Sequence, residues 1–472
     1  MAKNESRALR VGFAVRCITP PVGKEIPGLL ERRFATGTND DLFARAVVLS
    51  DGPRRVALVQ VDSLVVPTSV VAAARKAARH HCGVCGQNCL IAATHTHSGG
   101  PIFDGFLSEH DPDYESFLAS QIALAISEAD ADSRPAQAGI ATSRAEGVAF
   151  NRRFIMKDGS QRTHPGKLHP DIVRSAGPAD PTVTVVGFRD PQCNEPFGCI
   201  VNFACHATHM NGLRYSADYP RWIVDTLQRV HGPDFGVVFL NGACADVTQV
   251  DNLSDRPVEL GPYWCARTGR AAGAAALQAL AVMPYRKKTA LGSTSANVMV
   301  GVRRNSAAAI AEARRIVAKN TADSPNPETI FARELLHVER FRKTAPKVNL
   351  EIQTLHIGDA LFWSVPGELF QALALEVRDL SPFPYTCCVE LANGYAGYIC
   401  TRDAYSGGGY EVRPARSSFL AEDTGKRMVK AARTLIKKLP KPNAASNLLW
   451  DSAHESGSDD ANLFQLSAKR KK

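Results

Sequence analysis

The chain has 472 residues, 44% of them hydrophobic and 22% charged, with 56 Lys and Arg against 47 Asp and Glu for a formal charge of +9. That length can bury a large core without disulfide or metal staples. The composition excludes a disordered solvating chain, and 35 glycines and 28 prolines without a period exclude collagen-like and low-complexity classes. No apolar run reaches the ~18 residues of a membrane span, and the N-terminus lacks the apolar core and small-residue cleavage site of a signal peptide. The expectation is a cytoplasmic protein.

Taken in order, residues 7–20, 42–50 and 54–62 read as strands, the last closing at Asp62. A helix is predicted over 67–80, and then an apolar strand over 88–97 that turns polar at its end. Residues 112–132 have helical spacing, and 137–145, 182–188 and 198–206 read as strands around a polar, Gly- and Pro-bearing loop over 150–180. Further on, 221–232 is helical, 235–243 is a buried strand with a Gly-rich exit, and 263–281 and 307–321 are long helices. Residues 348–369 read as two strands joined by a Gly-Asp turn, a helix starts near Glu368, and the last helix covers 422–439 with a basic end. Continuous apolar strands alternating with helices predict an α/β fold, central β-sheets covered by helices. No repeat or linker stands out. One large catalytic domain over 1–445 is expected, with a partly disordered tail over 446–472.

The 12 cysteines include Cys82, Cys85 and Cys89 close together. A zinc knuckle usually has a second to pair with, and none follows. Reduced structural thiols are the expectation.

Five polar stretches each follow an apolar strand, where sites gather in α/β folds. Thr94-His95-Thr96-His97-Ser98-Gly99-Gly100 puts two imidazoles at i and i+2, which face the same way in an extended chain. They suit one metal, or a metal ligand beside a proton carrier; a hydrogen-bonded structural pair has the same pattern. His206 leaves the strand at 198–206 and adds a third nitrogen, and His209 is ambiguous. Asp218 suits either an imidazole's second N–H or a helix cap ahead of Pro220. Val365-Pro366-Gly367-Glu368 places a carboxylate at a helix start, and two histidines with one carboxylate form a catalytic zinc set with room for water. The fourth stretch holds Tyr395 and Tyr398, with Tyr405 and Tyr410 beyond: four of only 10 tyrosines. Their hydroxyls can bind metal, donate to an oxyanion or simply pack. The fifth, Asn241 to Thr248, offers a hydroxyl and lacks the ending of a phosphate loop.

Together, and in this order, these motifs resemble the neutral, non-lysosomal ceramidase family in its N-terminal amidase domain. The start fits as well, in Val11-Gly12-Phe13, Thr19-Pro20, Phe43-Ala44-Arg45-Ala46 and Asp62. The resemblance implies a catalytic zinc held by His95, His206, Glu368 and Tyr395. It implies His97 in proton handling, Arg152 in the active site, Tyr405 polarising the amide carbonyl, and Thr248 in place of a family serine. A family tyrosine beyond Tyr410 is replaced by the stretch Arg416-Ser417-Ser418-Phe419.

The expected function is zinc-dependent cleavage of an N-acyl bond, ceramide giving sphingosine and a fatty acid. The alternatives are a zinc hydrolase of another amide or ester, and a non-catalytic lipid- or partner-binding protein on the same scaffold. Expected partners are a lipid-like or other amide substrate and a peripheral membrane contact. No nucleic acid is expected, since the basic clusters at 437–441 and 469–472 read first as a solvated surface.

Overall fold

The computed structural model describes residues 8–52, 54–320 and 326–440. The boundary expected at 445, the tail beyond it and the terminal basic cluster lie outside them.

Three sheets make the frame. The first runs Cys89–Ala93, Arg55–Val61, Phe43–Ser50, Arg10–Cys17, with the short Arg134–Pro135 at its edge. The second runs Gly236–Asn241, Pro196–Phe203, Thr182–Arg189, Gln137–Arg144, edged by Tyr285–Arg286. The third runs Tyr385–Val389, Ala360–Ser364, Lys347–Ile357, Leu291–Gly301. Each is built alike. Three strands meander antiparallel, and the third then pairs in parallel with a fourth. A parallel pair needs a crossover, and a helix supplies it each time: Thr68–Cys82, Tyr219–His231 and Gln371–Asp379. The chain thus contains one topological unit three times, a repeat that the sequence does not display.

One face of every sheet points to a common centre, where Leu58 and Leu90, Ile200 and Leu240, and Phe362 and Val389 pack together. The outer faces are covered separately. Helices Thr68–Cys82 and Pro112–Ala131 cover the first, Tyr219–His231 and Pro262–Ala281 the second, and Gln371–Asp379 and Thr424–Ile436 the third. Strands buried on both faces read as continuous apolar runs, which is why they were legible. The α/β class, with helix-covered sheets in a single domain, is the observed one.

Several elements differ from expectation. The segment 150–180 is no plain loop: Arg153–Met156, Gln161–Thr163 and Ile172–Ser175 form a small sheet. The helix expected at Glu368 begins at Gln371, and Glu368–Leu369 pairs instead with Tyr398–Ile399. A helix at Pro327–Thr344 and a strand at Leu291–Gly301 were not anticipated. Among the described residues no helix is long and apolar enough to cross a membrane. The 12 cysteines form no disulfide.

Candidate metal centre

The three units all deliver their polar strand exits to one place. His95 and His97 follow Cys89–Ala93, His206 follows Pro196–Phe203, and Glu368 follows Ala360–Ser364. His95 is not in an extended strand. Its φ of +68° lies in the left-handed region, an uncommon state for a residue with a side chain. The chain turns there, and the His95 and His97 rings meet edge to face at 4.8 Å.

The tautomers follow from the hydrogen bonds. His95 Nδ1 lies 2.8 Å from the Leu64 carbonyl, His206 Nδ1 2.8 Å from the Cys244 carbonyl, and His97 Nδ1 2.9 Å from the Gly28 carbonyl. A carbonyl only accepts, so each Nδ1 carries the hydrogen and each neutral imidazole presents a lone pair at Nε2. Those lone pairs converge. His95 Nε2 is 3.0 Å from His206 Nε2 and 3.4 Å from His97 Nε2. Glu368 Oε2 joins them, 3.3 Å from His95 Nε2 and 3.7 Å from His206 Nε2. It is buried and accepts no hydrogen bond. Lone pairs and a carboxylate oxygen facing one another repel unless a positive charge sits between them.

The donor set fits a divalent ion. A tetrahedron with zinc–nitrogen arms of ~2.0–2.1 Å has edges of about 3.3–3.4 Å, and the four separations bracket that length. Imidazole and carboxylate are ordinary zinc ligands. Two overlapping sets share His95 and His206: one adds His97, the other Glu368. Among the described residues no group of three or more His, Cys, Asp or Glu side chains away from this centre is close enough to share an ion. Cys82, Cys85 and Cys89 do not form another.

Electrostatics separate the histidines. Burial, followed by the charges of Arg152 and then His95, holds His206 well below its ordinary pKa. Burial with His95 and Arg33 does the same to His97. Both therefore keep free lone pairs at neutral pH. For His95, burial pulls down, but Glu368 and the Leu64 carbonyl give a net upward direction.

The loops are pinned from outside. The buried Arg33 donates to the carbonyls of His97 at 2.7 Å, Asn211 at 2.9 Å, Gly212 at 3.0 Å and Pro27 at 3.1 Å. Gly28 has a φ of +108°, and a Cβ there would stand 2.9 Å from His97 Nδ1, so only glycine fits.

A cavity of about 580 Å³ opens beside the centre. His97, His206, Arg152, Thr248, Tyr398 and Tyr410 line its polar end, and Leu29, Leu30, Val258 and Leu260 belong to its apolar wall. Arg152 donates through Nε to Glu411 at 2.9 Å and through Nη2 to the Tyr398 hydroxyl at 3.1 Å. Arg153 and Thr163 reach the other Glu411 oxygen. Burial would raise the Glu411 carboxyl, but Arg152 and Arg153 hold it below its ordinary value. Asp246 fixes the adjoining loops: its carboxylate accepts from Asn151 Nδ2 and the Gln371 N–H, and its carbonyl from the Arg152 N–H.

The structure thus gathers His95, His97, His206, Glu368, Arg152 and Thr248. The tyrosines take three different places. Tyr395 donates to Glu368 Oε1 at 3.1 Å, and its ring faces Phe103 and a second cavity of about 630 Å³. Tyr405 is not brought to the centre; it sits in the helix Arg402–Gly407 under the Arg303 guanidinium, and Tyr398 and Tyr410 take the cavity wall. Arg416 pairs with the buried Glu334. His209 lies apart, fully buried between Asp218 at 2.7 Å and the Thr268 hydroxyl at 2.9 Å, while Asp218 also caps the following helix. Glu390 and Glu411 were missed. Glu390 is the first residue past the strand Tyr385–Val389 and Glu411 directly follows Tyr410, so both border the fourth polar stretch, but their burial is visible only in the fold.

No protein-family model matches this sequence, and neither does any curated protein. Solved structures do match its shape. A ceramidase complexed with C2 superimposes with a TM-score of 0.69 at 18% identity, over 92% of this chain and 76% of the other. The neutral ceramidase of Pseudomonas aeruginosa gives the same values. The chain has a ceramidase fold. At this identity the likeness establishes the architecture, and the chemistry rests on the side chains of this chain.

Proposed function

We propose that the protein is a metal-dependent hydrolase of N-acyl amides, with zinc as its ion and a ceramide-like lipid as its substrate. The observation that carries this reading is the meeting of the His95 and His206 lone pairs with the hydrogen-bond-free oxygen of Glu368. These three, with Tyr395 beside Glu368, would hold the ion. A divalent cation there supplies Lewis acidity to a water and to the substrate carbonyl.

The remaining side chains have separable tasks. His97 lines the cavity with a free Nε2, so it is placed to take a proton from the attacking water and return it to the leaving amine. Arg152, kept charged by Glu411, aims its second nitrogen at the Tyr398 hydroxyl. Arg152, Tyr398 and Tyr410 line the wall where charge would build on a carbonyl oxygen, and donors fixed there would stabilise it without reorganising; Thr248 lines the same wall with its hydroxyl donating to Gln249 at 2.7 Å. The leucine and valine wall beyond them accommodates hydrocarbon. Likeness in fold to solved ceramidases supports the same reading.

The test is metal analysis joined to a hydrolysis screen on amides whose acyl chains run from two to eighteen carbons. Stoichiometric zinc and a rate that rises with chain length are expected. Full activity in protein shown to be metal-free would overturn the proposal. A preference for short polar amides or esters would favour a hydrolase of another substrate. Bound lipid without turnover would favour a binding protein on this scaffold.

A further inference from the structure

We propose that Glu390 is a positioning residue, a buried clamp that sets the spacing between the ligands His206 and Glu368. This rests on the metal centre proposed above.

Glu390 is the first residue past the strand Tyr385–Val389 and has no exposed surface. Its Oε2 accepts two backbone N–H groups, from Leu369 at 2.8 Å and from Cys244 at 3.1 Å. Its Oε1 accepts the Cys244 thiol at 2.8 Å. Each partner adjoins a ligand. Leu369 directly follows Glu368. The Cys244 carbonyl takes the Nδ1–H of His206 at 2.8 Å, and so fixes which way that ring points. One carboxylate oxygen therefore binds together two segments that come from different sheets.

The same residue reaches the third ligand through its backbone. The Glu390 N–H donates to the Asn241 carbonyl at 3.2 Å, and Asn241 Nδ2 donates to the Thr94 carbonyl at 3.1 Å, one residue before His95. The three fourth-strand exits are thus tied in a chain, with Glu390 at the end of the third.

Core packing does not account for this carboxyl. None of its side-chain hydrogen bonds comes from a cationic group, and a carboxyl buried among neutral donors costs stability. What it supplies is reach: two N–H groups, otherwise orphaned inside the protein, are held on one atom. Groups that orient a metal's ligands typically contribute 10–100-fold to its affinity.

The experiment measures Zn2+ affinity by titration calorimetry on metal-stripped wild type, Glu390→Asp and Glu390→Gln, with unfolding midpoints measured on the same samples. Asp keeps the carboxyl but withdraws it by one methylene; Gln keeps the reach and an acceptor oxygen. The expected result is an affinity about 10–100-fold weaker for Glu390→Asp and within about threefold of wild type for Glu390→Gln. Equal affinity in all three proteins, with or without a lower midpoint, makes Glu390 a purely structural residue and overturns the proposal. Loss in Gln but not in Asp overturns it in favour of a role for charge. A wild type that binds no Zn2+ fails at the earlier step and takes the metal centre down with the clamp.

Discussion

Replacing Glu411 with Gln tests the charge balance behind the cavity. Arg152 and Arg153 both end on this one carboxylate, and Thr163 donates to it at 2.7 Å. All three charged groups are buried, Glu411 completely. Breaking a buried pair by removing one partner typically costs 3–5 kcal/mol, because the other charge stays behind unneutralised. Here two guanidiniums stay behind, so about 5 kcal/mol is expected, against a typical total stability of ~5–15 kcal/mol. Urea unfolding followed by tryptophan fluorescence measures it. The double variant Glu411→Gln with Arg153→Met removes one stranded cation and should recover about half the loss. The pH dependence carries a sign. The folded carboxyl is held below its ordinary value, so its contribution is complete above the unfolded pKa of ~4.3 and is lost as pH falls through the lower folded value. Wild type should show an acid limb there that Glu411→Gln lacks. A single variant within about 1 kcal/mol of wild type, or a double variant worse than the single, would refute the argument.

Four other outcomes follow from the geometry. Zn2+ at a hundredfold excess over its dissociation constant should stabilise the metal-stripped protein by about 2.7 kcal/mol, and His206→Ala should abolish that shift in a thermal melt. Tyr398→Phe removes the hydroxyl beside Arg152 and should lower kcat by about 10²-fold, with Tyr405→Phe costing much less; steady-state kinetics on one amide ranks them. Gly28→Ala puts a methyl against His97 at a positive φ, so kcat should fall while Zn2+ binding, which rests on His95, His206 and Glu368, holds. Burial pushes the Asp62 carboxyl up to about 6 from an ordinary 3.8. The proton therefore favours the folded state: this contribution is complete below pH ~4 and is lost as pH rises through 6, on the order of 3 kcal/mol in all. Asp62→Asn should flatten the stability profile over that range, and unchanged curvature would remove the cause assigned to it.

What was legible in the sequence has a physical reason. Strands such as Arg55–Val61 and Gly236–Asn241 are buried on both faces, so they read as apolar runs, and the polar residues just past them mark the site. The helix Pro327–Thr344 hid because charged residues interrupt its buried face, which even includes Glu334 and Glu339. The strand Leu291–Gly301 hid because it lies at a sheet edge and is only partly buried along most of its length. The tyrosines were hard to place for another cause. Between residues 395 and 410 the chain passes through a turn, a two-residue strand and a short helix. With no sustained period, nothing in the sequence says which hydroxyl points where, and the expected Tyr405 gave way to Tyr398 and Tyr410 at the cavity.

The threefold unit explains why such distant residues meet. In a parallel pair both strands end on the same side, so each unit brings two exits to one rim. The three units pack their inner faces on a single core, which brings the rims together. The proposed metal ligands then come one sheet at a time: His95 from the first, His206 from the second, Glu368 from the third. Their spacing is therefore set by how three sheets pack, and side-chain interiors packed at crystal-like density do not slide. Only the last ångström is left to local bonds, from Leu64, Gly28 and Cys244 to the imidazoles and from Glu390 across the units. A repeat can carry this arrangement with no visible sequence periodicity, because an inward-facing position asks for apolar bulk and not for any one residue. The polar exits differ from unit to unit, and it is there, where the chain leaves the sheets, that the residues able to hold an ion stand.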